Sequence, residues 1–300
     1  MTTKHSKQLK HQSAHLPDAG LTQPSGLNDW AGNTKDGIRW EVLRGDVRSV
    51  LKGLDENRFD CVVTSPPYYW LRDYKVDGQI GLESSIDGYV EAIADSMDGV
   101  QRVLKKSGVL FLNISDTYYS AKGKPKGNDK KNQARRFGLR AVDGPGLGVP
   151  RKTLIGIPWR VSLEMINRGW VLRSPIIWQR EAAMPEPTAK DRPWRTYEMV
   201  LMFTKSQRYF FDRNALGDQE DIWKISSRPK SSNGLHAAAF PEELVSKCLN
   251  VGCPEGGEVL DPFVGTGTTL KVAVESQRPA VGIDLNKEYC EYSANLLGKL

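Results

Sequence analysis

Short apolar runs alternate along this chain with stretches of helical spacing. Trp40–Leu43 reads as a short strand leading into Gly45-Asp46, and Val47–Leu54 as a helical segment. Phe59–Thr64 (FDCVVT) is almost wholly apolar, as strands buried on both faces of a parallel sheet tend to be. Ile86–Leu104 has helical spacing, Lys106-Ser107-Gly108 reads as a turn, and Val109–Ile114 (VLFLNI) as a second buried strand. A helix from Pro158 to about Arg168 precedes strands at Trp170–Trp178 and Glu198–Thr204. Another helix begins near Pro241 and runs through Asn250. Glu258–Asp261 is then a strand, Pro262–Gly267 a glycine-containing loop, and Thr268–Ser276 a helix. Ala280–Asp284 is the last strand and Lys287–Leu297 the closing helix. Such alternation predicts a doubly wound, mostly parallel α/β sheet with helices on both faces.

Three stretches fall outside this pattern. Residues 1–36 are polar with few large apolar side chains, and they lack the apolar core of a secretory signal. They are expected to be a flexible tail preceding one domain over 37–300. Residues 120–152 are glycine-rich and basic, and 212–235 are polar with turn residues; both read as loops. Apolar residues form 39% of the 300, enough for a sizeable core. No apolar run approaches the roughly 18–20 residues needed to span a membrane.

Charge adds a partner. The net charge is +6, yet the 120–152 stretch alone holds ten Lys/Arg against two acids, leaving the remainder slightly negative. A basic segment on a near-neutral body suits a polyanion, although a solvated surface loop has the same composition. The four cysteines (Cys61, Cys248, Cys253, Cys290) are scattered without metal-ligand spacing, so reduced thiols and no zinc site are expected.

Two sites carry candidate chemistry. The first is Val259-Leu260-Asp261-Pro262-Phe263-Val264-Gly265-Thr266-Gly267-Thr268-Thr269, where a strand ends, the chain turns on two glycines, and a helix begins. Such a turn lets a ligand approach the backbone at the carboxyl end of the sheet, although glycine also serves turns that bind nothing. Seventeen residues after Gly267 the next strand ends at Asp284, placed to hydrogen-bond a ribose diol. The phosphate-cradling pattern GxxxxGK[ST] is absent, and Leu270 stands where a dinucleotide fingerprint has its third glycine. Both absences favour S-adenosyl-L-methionine among nucleoside cofactors.

The second site is Thr64-Ser65-Pro66-Pro67-Tyr68, directly after a buried strand. Consecutive prolines fix the backbone and remove two N–H donors, leaving carbonyl acceptors. A base amine is a poor nucleophile because its lone pair is delocalised into the ring. Acceptors for both of its N–H groups let the nitrogen pyramidalise and recover that pair. Ser65 Oγ and the Pro66 carbonyl suit that task, and Tyr68 offers a stacking face for a base taken out of the duplex. The same letters spell PPxY, a WW-domain ligand, but that motif belongs in disordered tails rather than at the mouth of a strand.

Together these two sites resemble the amino-DNA methyltransferases of restriction–modification systems, in the permuted beta class whose catalytic motif precedes its cofactor motif. The resemblance runs from about Gly37 to the C-terminus and implies a Rossmann-like adenosylmethionine-dependent fold. Ser65, Pro66, Pro67 and Tyr68 match the catalytic motif (D/N/S)-P-P-(Y/F/W), whose Ser form is associated mostly with cytosine N4 and whose Asp form with adenine N6. Asp261, Phe263, Gly265 and Gly267 look like the adenosylmethionine loop, and Asp284 like the ribose-binding acid. Gly45-Asp46 resembles a motif whose acid lies near the adenine, although a helix N-cap is the plain alternative for Asp46. His236 and Phe240, in HAAAFP, resemble a segment at the methionine end of the cofactor, with His236 positioning rather than carrying a proton. Asp116 matches an acid proposed to assist proton removal through the motif serine, or is simply a hydrogen-bonding loop residue.

The implied substrate is double-stranded DNA. Lys122, Lys124, Lys126, Lys130, Lys131, Arg135 and Arg136 of the 120–152 loop would contact phosphates. Arg228 and Lys230 would take part in target recognition within 212–235. Arg192 and Arg195 lie in a Trp–Arg cluster that fits either phosphate contact or packing. The expected reaction is direct transfer to the N4 amine of a flipped cytosine, without metal or covalent enzyme–base intermediate; Cys253-Pro254 is the reverse of the Pro-Cys order that ring-carbon methylation needs. Adenine-N6 methylation and an inactive DNA-binding module are the alternatives. A bacterial or phage-type cytoplasmic setting and a cognate restriction endonuclease in the same system complete what the resemblance implies.

Overall fold

The computed structural model describes residues 30–121, 141–181, 183, 186–187, 189–218, 220–227 and 240–300. Its central strands are β3 (Phe59–Thr64) and β4 (Leu104–Ile114), parallel neighbours that carry apolar side chains to both faces. Val62, Leu110 and Leu112 face one core, while Cys61, Val63, Val109 and Phe111 face the other. Period-two alternation thus sends successive residues of an apolar run to opposite sides, as burial on both faces requires.

The other strands are β1 (Trp30–Asn33), β2 (Arg39–Arg44), β5 (Val171–Glu181), β6 (Tyr197–Thr204), β7 (Ile222–Ser226), β8 (Val259–Asp261) and β9 (Ala280–Asp284). They form one sheet in the order β1-β2-β9-β8-β3-β4-β6-β5-β7. From β2 to β4 all neighbours are parallel. β6 runs antiparallel to both β4 and β5, and β1 is antiparallel to β2.

One core lies under α1 (Val47–Val50), α2 (Ile86–Val103) and α3 (Ile157–Asn167), with Val47, Tyr89, Ile93, Met97, Val161 and Met165 packed into it. The opposite core lies under α4 (Glu242–Gly252), α5 (Thr268–Glu275) and α6 (Lys287–Leu297), through Leu244, Leu249, Leu270, Ala273, Cys290 and Ala294. The doubly wound α/β architecture read from the sequence is therefore the observed one. From β3 the chain crosses by α2 to β4 on one side; from β8 it crosses by α5 to β9 on the other. Crossovers of one hand running in opposite directions put α2 and α5 on opposite faces and open a crevice between the carboxyl ends of β3 and β8.

Three expectations need correction. Trp30–Asn33, within the expected tail, is edge strand β1, registered Trp30↔Val42 to Asn33↔Arg39; residues 1–29 lie outside the described residues. Lys106-Ser107-Gly108 is not a turn between helix and strand but lies within β4, where the register with β3 jumps from Phe59↔Leu104 to Cys61↔Val109. A Cβ on Gly108 would sit 2.5 Å from Leu104 Cδ1, so the glycine serves close packing rather than a turn. Finally, the 212–235 segment contains strand β7, whose Trp223 and Ile225 are buried.

Among the described residues no helix is long and apolar enough to cross a membrane, and no group of three His, Cys, Asp or Glu is arranged to hold a metal ion. All four cysteines are buried and unbridged.

Candidate active site

The loop after β8 turns through Gly265 (φ 52°) and Gly267 (φ 86°), both in the left-handed region that glycine adopts without strain. Gly267 caps α5, and a Cβ there would approach Ser293 Oγ to 2.9 Å. Asp261, 2% exposed, ends β8 and accepts from Thr64 Oγ1 (2.6 Å), Thr269 Oγ1 (2.6 Å) and the Phe263 amide (3.0 Å). One carboxylate thus ties β3, β8 and α5 together at the crevice. Burial pushes its pKa up to about 6, against the pull of these donors. Asp284, at the end of β9, accepts from the amides of Gly265 (2.9 Å) and Asn286 (2.7 Å), and burial likewise raises it to about 6.

Between the carboxyl ends of these strands lies an open cleft. Ser65, Pro66, Pro67 and Tyr68 line it from the β3 side. Phe240, Asp261, Phe263, Gly265 and Asp284 line it from the β8–β9 side, and Gly45 and Asp46 from the end of β2. The two sites read separately in the sequence therefore share one cavity. Gly267 is not in its wall; its role is the turn and cap beside Ser293. Asp46 caps α1, accepting from the Arg48 amide (2.8 Å) and pairing with the Arg48 side chain, whose hydrogen bond holds the carboxyl below its ordinary range. It is both the N-cap and a wall of the cleft.

No pattern in the residues announced the segment that roofs the cavity. Leu71, Arg72, Tyr74 and Ile80 line it, the Tyr74 carbonyl accepts from Asn286 Nδ2 (3.5 Å), and the Tyr74 ring meets Tyr289 edge-on at 6.1 Å.

On the β3 side the proline loop is held by side chains from α2, β4 and β6. The Pro67 carbonyl accepts from Tyr89 Oη on α2 (2.8 Å). Tyr68 Oη donates to Glu198 Oε2 (2.7 Å) and accepts from Ser65 Oγ (3.2 Å) and Asn113 Nδ2 (2.8 Å). Glu198, on β6, also accepts from Asn113 Nδ2 (3.3 Å) and from Arg180 Nη1 (3.4 Å). Sequence reasoning missed Asn113 and Glu198. A signal existed for the first: it is the one polar residue in VLFLNI, and it is 4% exposed. Burial raises the Tyr68 phenol well above its ordinary value, and the Glu198 charge adds to the effect.

Asp116 is not in the wall of the cleft. Its carboxylate accepts from the amides of Thr117 (2.8 Å), Gly156 (3.0 Å) and Ile157 (3.1 Å), capping the start of α3. That is the loop hydrogen-bonding alternative. The arginines of the Trp–Arg cluster are engaged within the protein. Arg192 pairs with Glu186 (2.7 Å) and lies 3.9 Å over the Tyr118 ring; Arg195 donates to the Asp116 carbonyl. His236, Lys122, Lys124, Lys126, Lys130, Lys131, Arg135, Arg136, Arg228 and Lys230 lie outside the described residues.

Residues 59–295, from β3 through α6, match the family described as DNA methylase. The chain belongs to that family. Among curated relatives it is 41% identical to the type II methyltransferase M.Cfr9I of Citrobacter freundii, covering 85% of this chain and 87% of that protein. It is 40% identical to the type II methyltransferase M.SmaI of Serratia marcescens, over 83% and 87% of the two chains. In fold it is similar to the PvuII DNA methyltransferase (cytosine-N4-specific), with a TM-score of 0.65 at 21% identity over 88% and 89% of the chains. A Thermus thermophilus protein (TTHA0409) in complex with S-adenosyl-L-methionine gives a TM-score of 0.60 at 23% identity, over 86% and 93%. For a DNA methylase, the meeting of a glycine turn and a proline motif in one cleft is the feature that needs a chemical account.

Proposed function

We propose that this DNA methylase transfers a methyl group from S-adenosyl-L-methionine to the N4 amine of a cytosine flipped out of duplex DNA. The observation that carries the reading is that the acceptor-rich loop Ser65-Pro66-Pro67-Tyr68 and the glycine turn at Gly265 open into one cleft. The cleft fits the cofactor chemically: Phe240 and Phe263 offer apolar walls, and Asp284, with a pKa of about 6, is ionised at neutral pH and able to accept from a ribose diol. Bound S-adenosyl-L-methionine supplies an electrophilic sulfonium methyl group.

Ser65 Oγ and the Pro66 carbonyl accept the two amine hydrogens, which localises the lone pair on nitrogen and aims it across the cleft. Tyr68 provides the ring against which the base stacks. With the cofactor bound, the nitrogen pair would form the new N–C bond as the methyl group leaves sulfur, the C–S electrons staying on sulfur, and the proton shed by the methylated nitrogen would pass to water. Asp116, held by backbone amides, takes no part in this account. DNA is the substrate, and the type II relatives favour a restriction–modification setting with a cognate endonuclease.

The test is mass spectrometry of nucleosides from plasmid DNA incubated with the protein and the cofactor. N4-methylcytosine is expected, and a Ser65→Ala variant should lose about 100-fold or more of the rate, as when one preorganised hydrogen-bonding group is removed from an active site. N6-methyladenine would overturn the base assignment, and no methylated base would overturn the activity.

A further inference from the structure

We propose that Glu198 is a positioning residue that sets the direction of the hydrogen bonds in the catalytic loop, so that Ser65 meets its substrate as an acceptor. The proposal rests on amine methyl transfer at Ser65.

A serine hydroxyl is both donor and acceptor and rotates to suit its surroundings. Facing an amine whose hydrogens must be accepted, it is useful only when its own proton points elsewhere. At the far end of the chain of hydrogen bonds from Ser65, the Glu198 carboxylate can only accept. It takes the single proton of Tyr68 Oη at 2.7 Å. The Tyr68 oxygen then has only lone pairs to offer, and two donors fill them: Asn113 Nδ2 at 2.8 Å and Ser65 Oγ at 3.2 Å. With its proton directed at Tyr68, Ser65 is left with acceptor capacity toward the cleft.

The carboxylate is itself held in place. Its side chain is 12% exposed, Asn113 donates to the same oxygen that Tyr68 uses, and Arg180 approaches the other at 3.4 Å. Arg180 is anchored in turn by its bond to the Arg195 carbonyl at 2.7 Å. Charge-assisted bonds of this kind fix polarity more firmly than neutral ones. An amide in place of the carboxylate presents donors to Tyr68. The phenol proton is then free to turn toward Ser65, which becomes free to point its own proton at the amine. Donor facing donor is the arrangement that Glu198 prevents.

The experiment compares wild type, Glu198→Gln, Tyr68→Phe and the double variant in single-turnover methylation of plasmid DNA, with the dissociation constant for S-adenosyl-L-methionine and the melting temperature measured alongside. Glu198→Gln is expected to slow methyl transfer by about 10- to 100-fold while cofactor affinity stays within about twofold, a loss confined to the chemical step. Tyr68→Phe is expected to slow it comparably, and Glu198→Gln to add less than about threefold in that background, because both act through one bond. Full rate in Glu198→Gln overturns the proposal while leaving the activity intact. Multiplicative losses in the double variant also overturn it, since Glu198 would then act by another route. If Glu198→Gln fails to bind the cofactor, Tyr68→Phe decides, and an unchanged rate there overturns the proposal. Wild type that methylates no DNA amine removes the functional reading and this proposal together.

Discussion

The loop after β8 and the loop after β3 leave neighbouring parallel strands at the same edge of the sheet, yet one is built on glycine and the other on proline. The glycine loop turns its amides inward to carboxylates: Gly265 to Asp284 and Phe263 to Asp261, at 2.9 and 3.0 Å. The proline loop has no amide at Pro66 or Pro67, and its order comes from groups that reach it from outside, Tyr89 to the Pro67 carbonyl and Glu198 to Tyr68. The first loop shapes a backbone surface and leaves room for a ligand. The second presents acceptors and removes competing donors. Adjacent strands supply both because they flank the switch point, and Asp261 joins them through Thr64 on one side and Thr269 on the other.

Breaking that joint should have the largest effect. Asp261→Ala takes the acceptor from the Thr64 hydroxyl and the Phe263 amide and leaves Thr269 Oγ1 only the Val63 carbonyl at 3.3 Å. A loss of about 2–4 kcal/mol is therefore expected in urea unfolding, at about 1 kcal/mol or more per unmet donor. A loss below about 1 kcal/mol would mean that the loops are held independently. Gly267→Ala tests the glycine loop alone. A left-handed alanine costs roughly 1–2 kcal/mol before its contact with Ser293 is counted, and cofactor affinity should fall with it. Unchanged affinity in that variant would separate the turn from the ligand surface.

The acid at the end of β9 should show itself through pH. Asp284 has a folded-state pKa of about 6 against an ordinary 3.8. The folded protein therefore takes up this proton first as pH falls, and the contribution of Asp284 to stability decreases as pH rises between about 4 and 6. Cofactor binding has the opposite sense, because the ionised form is the acceptor. Affinity should fall up to about tenfold per pH unit below 6, and Asp284→Asn should abolish that slope in a titration by calorimetry. A slope that persists in Asp284→Asn would assign it to another group. The smallest effect is expected on the proline side. Tyr89→Phe removes one bond to the Pro67 carbonyl, for about 0.5–1.5 kcal/mol in unfolding and little change in cofactor affinity.

Much of this arrangement was legible in the residues. Strands β3 and β9 and helix α6 fall on the expected bounds, because apolar runs between turn residues leave few other ways to bury them. Strand β7 was hidden: it buries only Trp223 and Ile225 in an edge position, among Asp, Gly and Arg residues that dominate its surroundings. Strand β1 was missed for a similar reason, since Trp30–Asn33 is paired on one side and carries no apolar run. At the site, motif residues with a local signature were found, whereas Glu198 and Asn113 lie 130 and 45 residues from Tyr68 and meet it only because β4 and β6 are neighbours. Asp116 shows the converse. The family resemblance gave it a chemical role, while the helix it caps begins about 40 residues later and could not be paired with it from sequence.

The edge hairpin has one more consequence. The Lys35 amide, just past β1, donates to the carbonyl of Leu300 at 3.3 Å, so residues near opposite ends of the described chain are neighbours in space. A backbone joined there and opened at the exposed segment around Gly146 would thread strands β2 to β9 of the sheet with the glycine loop first and the proline loop second. The order of the two motifs is a matter of where the polypeptide is cut; their meeting place is a property of the sheet, and evolution is free to rearrange the first without disturbing the second.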